Sequence, residues 1–179
     1  MIYVFLANGF EECEALAPID ILRRAGFDVK TVGVNGKTAV GAHNIPVMCD
    51  ITTDEITFEN LESVILPGGM PGTINLENDG TVQKAIDYAN KNNLLIGAIC
   101  AAPSILGHKG LLNGKKATCF PGFEKDLLGA TVTTETVVRD GNIITAKGAG
   151  VAFDFGFKLL AYLKDENTAN DLKIQMMFN

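Results

Sequence analysis

Five short, nearly uninterrupted apolar runs constrain this chain more than any other feature: residues 2–7, 29–34, 64–66, 94–99 and 143–146. Runs of this length without polar alternation suit strands covered on both faces, as in a parallel sheet. The segments between them, 12–25, 82–92, 103–109 and 151–164, carry helical patterns. Strands alternating with helices predict an α/β fold, a doubly wound and mainly parallel sheet sandwiched by helices. Two stretches break the alternation, 36–50 and 136–145, the second with Asp140-Gly141 at its middle. Asp-Gly is a two-residue hairpin signal, so both read as small antiparallel additions. No internal repeat or linker-like stretch divides the 179 residues, which are read as one domain.

The first helical segment is apolar around most of its circumference, through Ala15, Leu16, Ala17, Ile19, Ile21, Leu22 and Ala25. Such a helix is covered on two sides. The second cover is either the chain's own hairpin or a second copy of the chain. Pro18 is expected to kink this helix or to confine its regular part to the residues beyond the proline.

Charge narrows the partners. A formal net charge of −6 disfavours phosphate backbones and anionic lipid, so direct nucleic-acid and membrane binding are not expected. The apolar start lacks a basic flank and runs into Glu11-Glu12, which reads as a first strand and points to a cytoplasmic protein. Cys13, Cys49, Cys100 and Cys119 include no C-x-x-C pair and are read as reduced thiols. His43 and His108 stand at no ligand spacing from them, so neither a metal nor any other cofactor is expected.

In open α/β sheets ligands bind beyond the carboxyl ends of the strands. There the first strand delivers Glu11-Glu12-Cys13-Glu14, the third Pro67-Gly68-Gly69, and the 94–99 run Cys100-Ala101-Ala102-Pro103. The last is the sharpest signal. Small residues, Ala98 and Ala102, flank Cys100 two positions away, as a strained strand-to-helix nucleophile elbow requires. Pro103 suits a first helical turn. Cys100 would then sit at a helix N-terminus, where free amides favour a thiolate. The competing reading is a cysteine that merely packs, the one preferred for Cys49.

A thiol nucleophile normally needs a base, and the histidines do not supply it. His108 follows Cys100 by eight residues, about 12 Å along a helix, and His43 reads as a surface-loop residue. Glu11 and Glu12 read as first-turn charges beside the helix dipole. Glu14, turned toward the cleft, would share one proton with the thiolate and act as acid or base near neutrality. Gly68 and Gly69 can present bare amides to an oxyanion. Gly148 and Ala149 are either a helix start near the cleft or a tight turn, and Cys119 with Phe120 leads into a loop directed at the same edge. No phosphate-loop pattern is present.

These motifs, in order, resemble the ThiJ/PfpI superfamily, in particular its Parkinsonism-associated deglycase branch and bacterial YajL-like relatives. The resemblance spans nearly the whole chain. It includes Glu11-Glu12-Cys13-Glu14, Pro18-Ile19-Asp20, Arg23-Arg24-Ala25-Gly26, Leu66-Pro67-Gly68-Gly69, the 98–103 segment and Gly148-Ala149-Gly150. It implies a flavodoxin-like, class I glutamine amidotransferase-like domain over residues 1–179 and a homodimer. Cys100 would be the oxidisable nucleophile, Glu14 its carboxyl partner, and Gly69 and Ala101 the oxyanion amides, with Gly68, Cys119, Phe120, Gly148 and Ala149 around the pocket. The implied activity is that of a cofactor-free glyoxalase or deglycase on methylglyoxal and related reactive aldehydes, with protection against oxidative stress. The alternatives are a redox-sensing or chaperone-like dimer and, third, a passive binding module. Ala101 stands where the protease-like branch has histidine, which argues against peptidase chemistry. Phe120 stands where animal deglycases carry a pocket histidine.

Overall fold

The computed structural model describes residues 1–178. In chain order the elements are β1 (Ile2–Leu6), α1 (Glu12–Arg24), β2 (Val29–Gly33), β3 (Thr38–Val40), β4 (Pro46–Met48), β5 (Ile51–Thr52), β6 (Ser63–Leu66), α2 (Gly72–Asn78), α3 (Gly80–Lys91), β7 (Leu95–Ile99), α4 (Pro103–His108), β8 (Lys116–Ala117), β9 (Thr131–Val132), β10 (Val137–Asp140), β11 (Ile143–Ala146), α5 (Ala152–Leu163) and α6 (Glu166–Gln175). A seven-stranded sheet runs in the order β10-β11-β7-β6-β1-β2-β5. All its pairings are parallel except β10 with β11, which the Asp140-Gly141 turn folds back. β3 and β4 form a separate antiparallel hairpin, and β8 and β9 a short parallel pair that the sequence pattern does not reveal.

The apolar runs are continuous because both sheet faces are covered. Ile2, Val4 and Leu6 point into one core with Ile21 and Leu22 of α1 and Phe155, Leu159 and Leu160 of α5. Tyr3 and Phe5 point into the other, with Val82, Ala85, Ile86 and Ala89 of α3 and Ile105 of α4. This is the two-residue alternation of a strand, apolar on both sides.

Helix α1 runs through Pro18 from Glu12 to Arg24, so the expected interruption does not occur. Its close neighbour explains the tolerance: a Cβ on Gly156 of α5 would lie 2.6 Å from Ile21 Cδ1 and 3.1 Å from Pro18 Cα. Helix-on-helix packing of that tightness holds the helix where one backbone hydrogen bond is missing. Leu16 on its outer face remains 40% exposed. Helices α2 and α6 carry little of the pattern that identifies a helix from sequence. α2 is seven residues long, and α6 buries only Ala169 and Leu172.

The sheet order places the site. From β1 the chain moves outward to β2, then returns to the other side of β1 as β6 and on to β7. The direction of winding therefore changes between β1 and β6, opening a crevice beyond their carboxyl ends. β1, β6 and β7 deliver their following loops to that crevice side by side.

Candidate active site

Cys100 follows β7 directly and has φ of +66°. A non-glycine residue in the left-handed region is strained, and such strain persists only where the surroundings fix it. They do so here. The Cys100 amide donates to Ala146 O at 2.8 Å, and its carbonyl accepts from the Phe120 amide at 2.8 Å. Ala98 and Ala102 are fully buried against the turn, and Pro103 opens α4, so the elbow reading of the sequence is the observed geometry.

Glu14 lies on α1 with 1% exposure, and its Oε2 accepts the Gly68 amide at 2.9 Å. Its carboxyl lies close enough to the Cys100 thiol for the two to perturb each other. Gly68 has no room for a side chain: a Cβ there would sit 2.6 Å from Cys100 Cβ and 2.7 Å from Glu14 Oε2. Gly69, at φ of +89°, packs its backbone against Gly9 and Glu11 and aims its amide at the thiol, as Ala101 does. Cys100, Glu14, Gly68, Gly69 and Ala101 thus converge from three loops.

The electrostatics reverse one expectation. Burial raises the Glu14 carboxyl to about 7, against the hydrogen bonds it accepts. The Cys100 thiol is not held low at its helix N-terminus: burial and then the Glu14 charge push it up to about 12, outweighing the Gly69 and Ala101 amides. α4 is only six residues long, which limits the dipole it offers. Between about 7 and 12 the pair carries one negative charge and one proton, and a thiolate forms when Glu14 holds that proton.

Of the pocket candidates, Gly148 is buried, and a Cβ on it would lie 3.2 Å from Phe120 Cδ2 and 3.8 Å from Glu14 Oε1. Phe120 is half-exposed and lines a cavity of about 320 Å³ with Pro121, Thr136, Lys147 and residues 148–151, Ala149 among them. Cys119 is turned away. It is buried in the core of the opposite sheet face from the one Cys100 packs against, and burial, with Glu124 and Asp126, raises its thiol to about 11.

The histidines stay clear of the thiol. His108 bonds Glu77 at 2.6 Å, and His43, exposed on its loop, bonds Glu12 at 2.9 Å. Glu12 differs from its first-turn reading. It is buried, and its carboxylate accepts the His43 and Ile45 amides, tying the 41–45 loop to α1. Nothing local in the sequence signals this, because the partner loop is thirty-one residues away. Glu11, Glu12 and His43 are the one trio among the described residues whose donor atoms, within 4.8 Å of one another, suit a metal ion. Both Glu12 oxygens are already engaged by the loop.

Fold and site together define an α/β protein with a cysteine on a strained strand-to-helix turn and a buried carboxyl beside it. The DJ-1/PfpI family profile matches residues 1–162, and the chain belongs to that family. It is 33% identical over 172 residues to Protein dj-1beta of Drosophila melanogaster, covering 94% of this chain and 92% of that protein. Deglycase PH1704 of Pyrococcus horikoshii is 32% identical over 147 residues, 79% of this chain and 86% of that one. A cysteine-to-alanine mutant of the DJ-1 superfamily protein STM1931 of Salmonella typhimurium superimposes with a TM-score of 0.94 at 34% identity, covering 99% and 98% of the two chains.

Proposed function

We propose that residues 1–179 form one catalytic domain that converts reactive 2-oxoaldehydes such as methylglyoxal to hydroxy acids without a cofactor. The observation that carries this is the proton-sharing Glu14–Cys100 pair beneath two free amides. The Cys100 thiolate adds to the aldehyde carbon while Glu14 supplies the proton to its oxygen, giving a hemithioacetal. Gly69 and Ala101 amides stabilise the oxyanion as it develops. Glu14, now ionised, removes the carbon-bound proton and returns it to the neighbouring carbon through an enediol, leaving a thioester that water hydrolyses. The atoms balance as oxoaldehyde plus water giving hydroxy acid. One relative carries the name deglycase, and the same addition step would open glycated adducts. Lactate formation from methylglyoxal should be lost in Cys100→Ala; equal turnover by wild type and variant rejects the reading.

A second reading rests on a partly buried thiol beside a carboxyl that donates when protonated: oxidation of Cys100 to sulfenic and sulfinic acid as a protective sensor. Peroxide titration with intact mass separates the two. A sensor gains oxygen at Cys100 at low peroxide with negligible turnover. Four free thiols suit a reducing compartment such as the cytoplasm.

The exposed side of α1 favours a homodimer. Leu16, Ile45 and Phe153, all more than a third exposed, surround a cavity of about 400 Å³ with Cys13 and Ala17. Sedimentation should find Leu16→Glu shifted to monomer, and an unshifted profile removes this face from the interface. Among the described residues no helix is long and apolar enough to cross a membrane.

A further inference from the structure

Lys147 stands out among the lysines. Six are half-buried: Lys30, Lys109, Lys115, Lys147, Lys158 and Lys173. Four of these pair with carboxylates, and Lys173 lies over the Phe157 ring. Among the described residues the Lys147 ammonium has no carboxylate, hydrogen-bond or ring partner. A cation without a partner of its own is available to an incoming anion.

Its position gives this a use. Lys147 is the one charged residue lining the 320 Å³ cavity beside Phe120, whose other walls are Pro121, Thr136 and the 148–151 turn. That cavity adjoins the reacting pair, since Gly148 lies between Phe120 and Glu14, and the Phe120 amide holds the Cys100 carbonyl. Lys147 follows Ala146, whose carbonyl holds the Cys100 amide. Glu124 shares a smaller cavity of about 170 Å³ with Lys147 and Cys119, but its Oε2 accepts the Gly122 amide and makes no ion pair with Lys147. Glu14, nearer the sulfur, is largely protonated below about 7 and then presents no opposing charge.

We propose that Lys147 makes the cleft selective for carbonyl compounds bearing a carboxylate, with the apolar wall taking the linking carbons and the ammonium the anion. This deepens the reading that Cys100 adds to carbonyls and rests on it. The favoured substrate class is a 2-oxoaldehyde with a carboxylate at its far end, which takes up one water to become a hydroxy diacid through the same hemithioacetal, enediol and thioester.

Two measurements test it, one of them independent of turnover. Alkylation of Cys100 is timed with iodoacetate and with iodoacetamide, which differ chiefly in charge. Removing the cation in Lys147→Met should lower the acetate-to-acetamide rate ratio by about fivefold, added salt should lower the wild-type ratio, and Lys147→Arg should restore it. The ratio of kcat/KM for dioxovalerate, an oxoaldehyde with a terminal carboxylate, over that for methylglyoxal should fall about tenfold in Lys147→Met, as for loss of a charged hydrogen bond. An alkylation ratio equal in wild type and Lys147→Met overturns the proposal. Turnover of neither aldehyde with a changed alkylation ratio overturns the enzymatic reading and leaves the anion-selecting cation standing.

Discussion

Replacing Glu14 by glutamine removes one charge from beside Cys100 and keeps an oxygen to accept the Gly68 amide. A unit charge about 4 Å away at an effective dielectric of about 20 is worth about 4 kcal/mol, or about three pK units at 1.36 kcal/mol each. The thiol, at about 12 in the native protein, should therefore fall by up to about three units in Glu14→Gln, with burial, the largest cause of its rise, holding it above a free cysteine. Thiolate absorbance and alkylation rate against pH, each corrected with Cys100→Ala, read this directly. Cys13 is exposed and would contribute, so the comparison is made in a Cys13→Ser background. Near pH 9 the glutamine variant should be alkylated many-fold faster. Superimposable profiles for the two proteins would mean that the carboxyl and the thiol do not share a proton, and the catalytic cycle built on that sharing would go with it.

The same carboxyl makes stability pH-dependent. Its folded value of about 7 lies above the ordinary 4.5, so its stabilisation is complete below about 4.5 and is lost as pH rises through 7. Urea denaturation near pH 5 and near pH 8 should show wild type losing about 3 kcal/mol more than Glu14→Gln over that interval. Gly68→Ala places a methyl within 2.6 Å of Cys100 Cβ, and should cost about 1–3 kcal/mol of stability by overpacking while changing the Cys100 alkylation rate. Asp50 behaves oppositely to Glu14. Burial works to raise its carboxyl, but the Thr31 amide and hydroxyl and Arg23 hold it below its ordinary value. Its contribution is present above the unfolded pKa and fades as pH falls, so Asp50→Asn should lose stability at neutral pH, by about 1 kcal/mol at most because solvent screens a side chain 38% exposed, and progressively less in acid.

Much of this protein is legible from local pattern. The five apolar runs mark the five core strands because each has neighbours on both faces, and the small residues around Cys100 mark the elbow because a strained turn excludes larger ones. Glu14 is found by its place after the first strand, which the parallel topology brings to the same edge. The features that escape are held by distant partners. α6 is stabilised by docking on α5 and gives little signal of its own, and Glu12 is buried by a loop from beyond β2. Pro18 sits inside an unbroken helix because Gly156 lets α5 close on it.

The sequence by itself determines the layers, the order of the motifs and the identity of the thiol and carboxyl that meet at the site, since these follow from periodicity, turn sterics and side-chain chemistry within short windows. Only the tertiary structure decides the proton's home and the cleft's charge. Desolvation of Cys100 and Glu14, and the isolation of Lys147, are sums over neighbours drawn from β6, β7, α1 and the 118–121 and 146–151 segments, and no window of sequence contains those sums.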